Sequence, residues 1–203
     1  MLNDAKAIQP LRRAFEKVET KREKQIIAAT LLSLGEREAR YFDFLAKHAL
    51  EAIRMDMPFP ILLDEEGNIV RKQLDPAFVA WCEERGLDPA RTSRRALYDL
   101  PGDVMPLTWA RDSRATDIFR EALAAPNFYI ANQGIIGLAI LREPDEIQEI
   151  VETIRRMPPQ FRERAAAALM VFDNAQAHAL AREFVPDEER LKAFLEFYQR
   201  LVP

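Results

Sequence analysis

The apolar and polar positions of this chain alternate mostly with a helical period. Apolar residues recur at three- and four-residue spacing, and prolines interrupt the pattern. The spacing predicts helices over 4–18, 21–34, 36–54, 76–85, 89–99, 104–110, 112–124, 127–141, 144–156, 159–172, 174–184 and 187–201. Acid–proline pairs mark three of the openings: Asp75-Pro76, Asp88-Pro89 and Glu143-Pro144. Proline at the first helical position loses no hydrogen bond, and the acid before it meets the positive end of the helix dipole. One stretch, residues 59–73, departs from this period. There, Ile61–Leu63 and Ile69–Val70 flank Asp64-Glu65-Glu66-Gly67-Asn68. That pattern predicts a short hairpin-like loop with a glycine at positive φ. Such a loop is either a surface excursion or a binding arm.

An internal repeat organises the C-terminal half. A shift of 31 residues aligns Phe119 with Ile150, Leu123 with Ile154, and Ile130 with Phe161. It also aligns Gly134 with Ala165, Gly137 with Ala168, Leu138 with Leu169, and Leu141 with Phe172. Each unit reads as two antiparallel helices, the first amphipathic and the second apolar on most sides. A lone pair of this kind cannot cover its own apolar face, so pairs stack into a one-dimensional core. The small residues Gly134, Gly137, Ala165 and Ala168 let neighbouring helices approach closely. Residues 28–42 echo the pattern.

Four motifs carry a family resemblance: Asp112-Ser113-Arg114-Ala115, the Pro126-Asn127 turn, Gly134-Ile135-Ile136-Gly137-Leu138-Ala139, and Phe172-Asp173-Asn174-Ala175-Gln176-Ala177. Together they resemble HEAT-like helical repeat proteins, best over about 104–184 and more loosely over 5–54. The resemblance implies an all-α fold, a right-handed α–α superhelix that offers a surface to another macromolecule. The domain reading is a single α-helical repeat domain over 1–203. Within it, N-terminal helices span 4–54, an irregular segment 55–110, repeats 111–184 and a capping helix 187–201.

Composition narrows the function classes. The 203 residues fit one domain or two small ones, long enough to bury a core without disulfides or metals. A net charge of −4, from 29 basic and 33 acidic residues, argues against a broad nucleic-acid or anionic-membrane binder. It leaves room for a local basic patch. The lone Cys82 excludes an intrachain disulfide framework and a Cys-based zinc site. The charged N-terminus has no apolar signal region, and no run of 18 apolar residues occurs, so the expected location is cytoplasmic, with no membrane contact.

Candidate chemistry is sparse. His48 and His178 are the only histidines and lie far apart without metal-ligand spacing. Cys82 follows Trp81 on an amphipathic helix and reads as a packed thiol. No Gly-rich phosphate loop and no GxSxG nucleophile motif occurs. The acids at 64–66 lack EF-hand spacing. No catalytic, cofactor or metal residue is assigned, and the expectation is a non-enzyme without a cofactor.

Arginine outnumbers lysine 22 to 7, and its placement is more informative. Arg91, Arg94 and Arg95 line one helix, while Arg111 and Arg114 flank a helix start. Tyr98 and Trp109 border the turn-rich segment 98–110. These seven residues form the candidate partner-binding surface, suited to acidic peptides or phosphates through bidentate contacts. The competing reading pairs each arginine with a neighbouring acid. The functional expectation is a scaffold or protein–protein interaction module whose partner is an unidentified protein. Two alternatives come from the resemblance: a nucleic-acid-binding HEAT-like protein, which the charge disfavours, and a bilin-lyase-like enzyme. Apolar faces at the array ends are also compatible with a homodimer.

Overall fold

In a computed structural model, the backbone is described for residues 5–172 and 174–201, and the side chains for 6–172 and 174–196. Asp173 of the Phe172–Ala177 motif and the first residue of the expected 4–18 helix lie outside the described residues. The chain is mostly helical: α1 (Ile8–Lys17), α2 (Lys21–Ser33), α3 (Ala39–Ile53), α4 (Pro76–Glu83), α5 (Pro89–Arg94), α6 (Leu100–Ala110), α7 (Thr116–Leu123), α8 (Phe128–Leu141), α9 (Ile147–Arg156), α10 (Pro159–Ala166), α11 (Ala175–Phe184) and α12 (Glu188–Leu201). Short side chains set several starts. Asp75 and Asp88 each accept from the backbone N–H groups one turn on, with proline at the first helical position. Thr20, Asn127 and Asn174 cap α2, α8 and α11 in the same way.

The 31-residue register reappears in the geometry. The left-handed residues Arg111 (φ 52°) and Arg142 (φ 56°) end α6 and α8. Each is followed by an acid and one 3-10 turn, Ser113–Ala115 and Pro144–Glu146, which leads into α7 and α9. Phe128 and Pro159 then open α8 and α10. Arginines join the successive units. Arg120 on α7 donates to Glu146 before α9, and Arg156 on α9 donates to the Leu123 carbonyl that ends α7. Basic groups at helix C-termini satisfy carbonyls that the helix leaves unpaired.

Two rows of helices carry the core. One runs from α2 through α6 and α8 to α10 and the 3-10 segment Ala167–Val171. The other runs from α3 through α7 to α9. A continuous apolar core extends from Phe15 to Leu191. Within it, α7 and α8 approach closely where Gly134 lies against the Phe119 carbonyl and Gly137 against the Phe119 ring.

The expected hairpin is present as antiparallel β1 (Ile61–Leu63) and β2 (Ile69–Leu74), with Gly67 at φ 81°. It is anchored to the helices. Gly67 sits against Pro159, and the buried Phe59 packs on Phe128, Tyr129 and Phe161.

Segment 98–110 keeps the helices expected at its two ends, but residues 100–103 are helical too, where the sequence expectation placed a break between 89–99 and 104–110. A π turn over Arg95–Asp99 joins α5 to α6, with Leu100 donating to the Arg95 carbonyl five residues back. The cause lies in Pro101, which has no N–H for the Leu97 carbonyl and whose ring would collide with it in a regular α-helix. The wider turn also frees the Ala96 carbonyl, which accepts a 2.9 Å hydrogen bond from Asn127 Nδ2. Asn127 is buried, and its Oδ1 caps α8 by accepting from the Tyr129 N–H. One amide therefore ties the π turn to the next helix.

Candidate functional site

The π turn forms one wall of a groove of about 540 Å³ between α2, α6 and α8. Lys21, Arg22, Gln25 and Ile26 reach it from α2, and Asp103, Met105 and Trp109 from α6. Arg95, Tyr98 and Asp99 come from the π turn, and Gln133 from α8. Its floor is fixed by a polar anchor. Asp103 is only 8% exposed, and its carboxylate oxygens accept from Lys21 Nζ at 2.7 and 2.8 Å and from Gln25 Nε2 at 3.1 Å. A buried carboxylate needs such partners, and they lock α2 onto α6.

The apolar groups of the groove are unusual for a surface. Tyr98 is 74% exposed, Ile26 45% and Trp109 39%. Among the described residues the other large hydrophobic side chain of comparable exposure is Leu87, outside the groove. Singly scattered apolar side chains are ordinary on a protein surface, but these three line one cleft. Burial pushes the Tyr129 phenol up, and nearby Tyr98 adds to that while Arg164 opposes it. Gln133 is 7% exposed, and its Oε1 meets no hydrogen-bond partner among the described residues.

A second cavity, of about 550 Å³, is lined by Arg37, Arg111, Asp112, Ser113, Arg114, Ile140 and Leu141. Here Arg114 grips Asp112 with Nε at 2.9 Å and Nη2 at 2.6 Å, and holds its carboxyl below the usual range. The Arg114 guanidinium lies 4.3 Å from the centre of the Phe42 ring.

The seven residues singled out from the sequence therefore divide. Arg95, Tyr98 and Trp109 meet in the first groove, and Arg111 and Arg114 in the second cavity. Arg91 and Arg94 are exposed on α5 outside both. Sequence reasoning missed Ile26, Gln25, Asp103 and Gln133. The one local signal was a glutamine inside the apolar run FYIANQGIIGLAIL.

Other polar groups are committed to structure. His178 Nε2 lies 2.7 Å from the Phe172 carbonyl oxygen, and His48 Nδ1 3.2 Å from Glu51. Cys82 is buried, which pushes its thiol up and keeps it from the thiolate form. Among the described residues no group of three or more His, Cys, Asp or Glu could hold a metal, and no helix is long and apolar enough to cross a membrane. The groove offers amide, guanidinium, carboxylate and aromatic groups, which is chemistry suited to recognition. Compared with protein-family models, curated proteins and solved structures, the chain matches none.

Proposed function

We propose that this protein is a non-enzymatic interaction module, a right-handed α–α superhelix of stacked helix pairs, and that the groove between α2 and α6 is where a partner protein docks. The observation that carries the reading is the convergence of Tyr98, Trp109 and Ile26, exposed and large, on one cleft beside Arg22 and Arg95. Tryptophan, tyrosine and arginine dominate binding energy at protein interfaces. The 31-residue recurrence of turns and helix starts supports the stacked architecture. Stacked pairs hold such a surface rigid, so little ordering entropy opposes binding.

Site-directed photo-cross-linking tests this in host lysate. A photoreactive phenylalanine derivative replaces Tyr98 or Trp109, with Leu87 as the exposed control outside the groove. The reading requires the same protein partner to be captured from positions 98 and 109 and not from 87. Capture of nucleic acid, or equal capture at 87, refutes it.

A further inference from the structure

We infer that the groove takes an extended, acidic peptide segment with a large apolar side chain at its centre, and that Gln133 pairs with the backbone of that segment. This deepens the interaction reading and rests on it. The key group is Gln133. A carboxamide presents an acceptor and a donor side by side, the complement of the N–H and C=O of a peptide unit. Its Oε1 is buried at the groove without a partner among the described residues. An unmet buried acceptor costs stability, and a turn of the carboxamide toward the groove would let a bound N–H satisfy it. A helical ligand would have no free backbone groups to offer there, because its own ladder uses them, whereas an extended chain has them.

The charges select the sequence of the segment. Lys21 and Asp103 neutralise each other, which leaves Arg22 and Arg95 against Asp99 around the groove. Arg91 and Arg94 extend that positive excess along α5. None of these four arginines forms an ion pair among the described residues, although acids outnumber bases in the chain as a whole. Uncommitted guanidinium groups match carboxylates in fork geometry. The exposed faces of Trp109, Tyr98 and Ile26 then receive the apolar side chain. A nucleic acid strand fits less well. Its affinity rises with the number of phosphates neutralised, and here Asp99 stands among few free cations.

The test uses the full chain and an array of fluorescein-labelled, end-capped pentapeptides with central Phe, Trp or Leu. The flanks are Asp/Glu, Asn/Gln or Lys/Arg, and binding is read by fluorescence polarisation. Acidic flanks should bind at least about tenfold tighter than neutral ones, the range of charge-assisted hydrogen bonds. The double variant Arg22→Glu, Arg95→Glu should remove that preference. Gln133→Leu should weaken binding about fivefold, one ordinary hydrogen bond, without lowering the melting temperature. Methylating the backbone nitrogen of the central residue should weaken binding to the wild type and leave binding to Gln133→Leu unchanged. The proposal is overturned by an array without preference for acidic flanks, by unchanged affinity in Gln133→Leu, or by tighter binding of a labelled single-stranded RNA. If the peptides fail while positions 98 and 109 still capture a protein, this inference falls and the interaction reading stands. If neither position captures a protein, the interaction reading itself falls.

Discussion

Replacing Gly134 with alanine puts a methyl group where α7 and α8 touch. The new Cβ would lie 2.7 Å from the Phe119 carbonyl oxygen and 3.1 Å from both the Ala122 Cβ and the Leu123 nitrogen. The first distance is about 0.7 Å inside the 3.4 Å at which ordinary contact begins. Two of the three obstructing atoms are backbone, so no side-chain rotation relieves the clash and the helices must part. Overpacking of this kind costs about 1–3 kcal/mol, and alanine returns about 0.5–1 kcal/mol of helix propensity. The net expectation is a loss of about 0–2.5 kcal/mol, or up to about 10 °C in melting temperature for a chain of this length. Gly102→Ala is the matched control. Gly102 is helical and exposed, and an added Cβ would meet nothing within 4 Å. The same change there should stabilise by about 0.4–1 kcal/mol through the unfolded chain. Urea and thermal melts followed by far-ultraviolet circular dichroism read both. Greater stability of Gly134→Ala than wild type would refute the close packing of α7 on α8, as would shifts of one sign in both variants.

Two further expectations concern the polar joints of the fold. Asn127→Asp keeps the α8 cap but loses the amide donor to the Ala96 carbonyl, which should cost about 1–3 kcal/mol in a denaturant melt; stability equal to wild type would show that the π turn does not depend on that bond. Arg114 lowers the Asp112 carboxyl from its ordinary value of 3.8 in the folded state, so the pair stabilises above that value and the gain is lost as pH falls through the lower folded one. Asp112→Asn retains a capping side chain, so its stability deficit should be full at neutral pH and shrink as pH falls below the ordinary carboxyl value of 3.8, where melts of the two proteins must converge.

What local sequence determined here is the position and ends of the helices. Asp75 and Asp88 ahead of prolines, Thr20 before α2 and Asn127 before α8 act within one turn of chain, so their effect can be read without the fold. The hairpin at Gly67 and the 31-residue register were legible for the same reason, since turn chemistry and periodicity are properties of neighbouring residues. Pro101 suggested a break, yet tertiary packing resolved it as a π turn, because Asn127, distant in sequence, satisfies the carbonyl that the turn releases. The groove was least legible. Arg95, Tyr98 and Trp109 were evident as candidates, but Ile26 arrives on α2 and Gln133 on α8, and only the packing of both helices on α6 brings them together. Whether a polar atom is buried without a partner depends on every residue that surrounds it. That property of Gln133 belongs to the folded structure, because desolvation is the sum of contacts made by chain segments far apart in sequence.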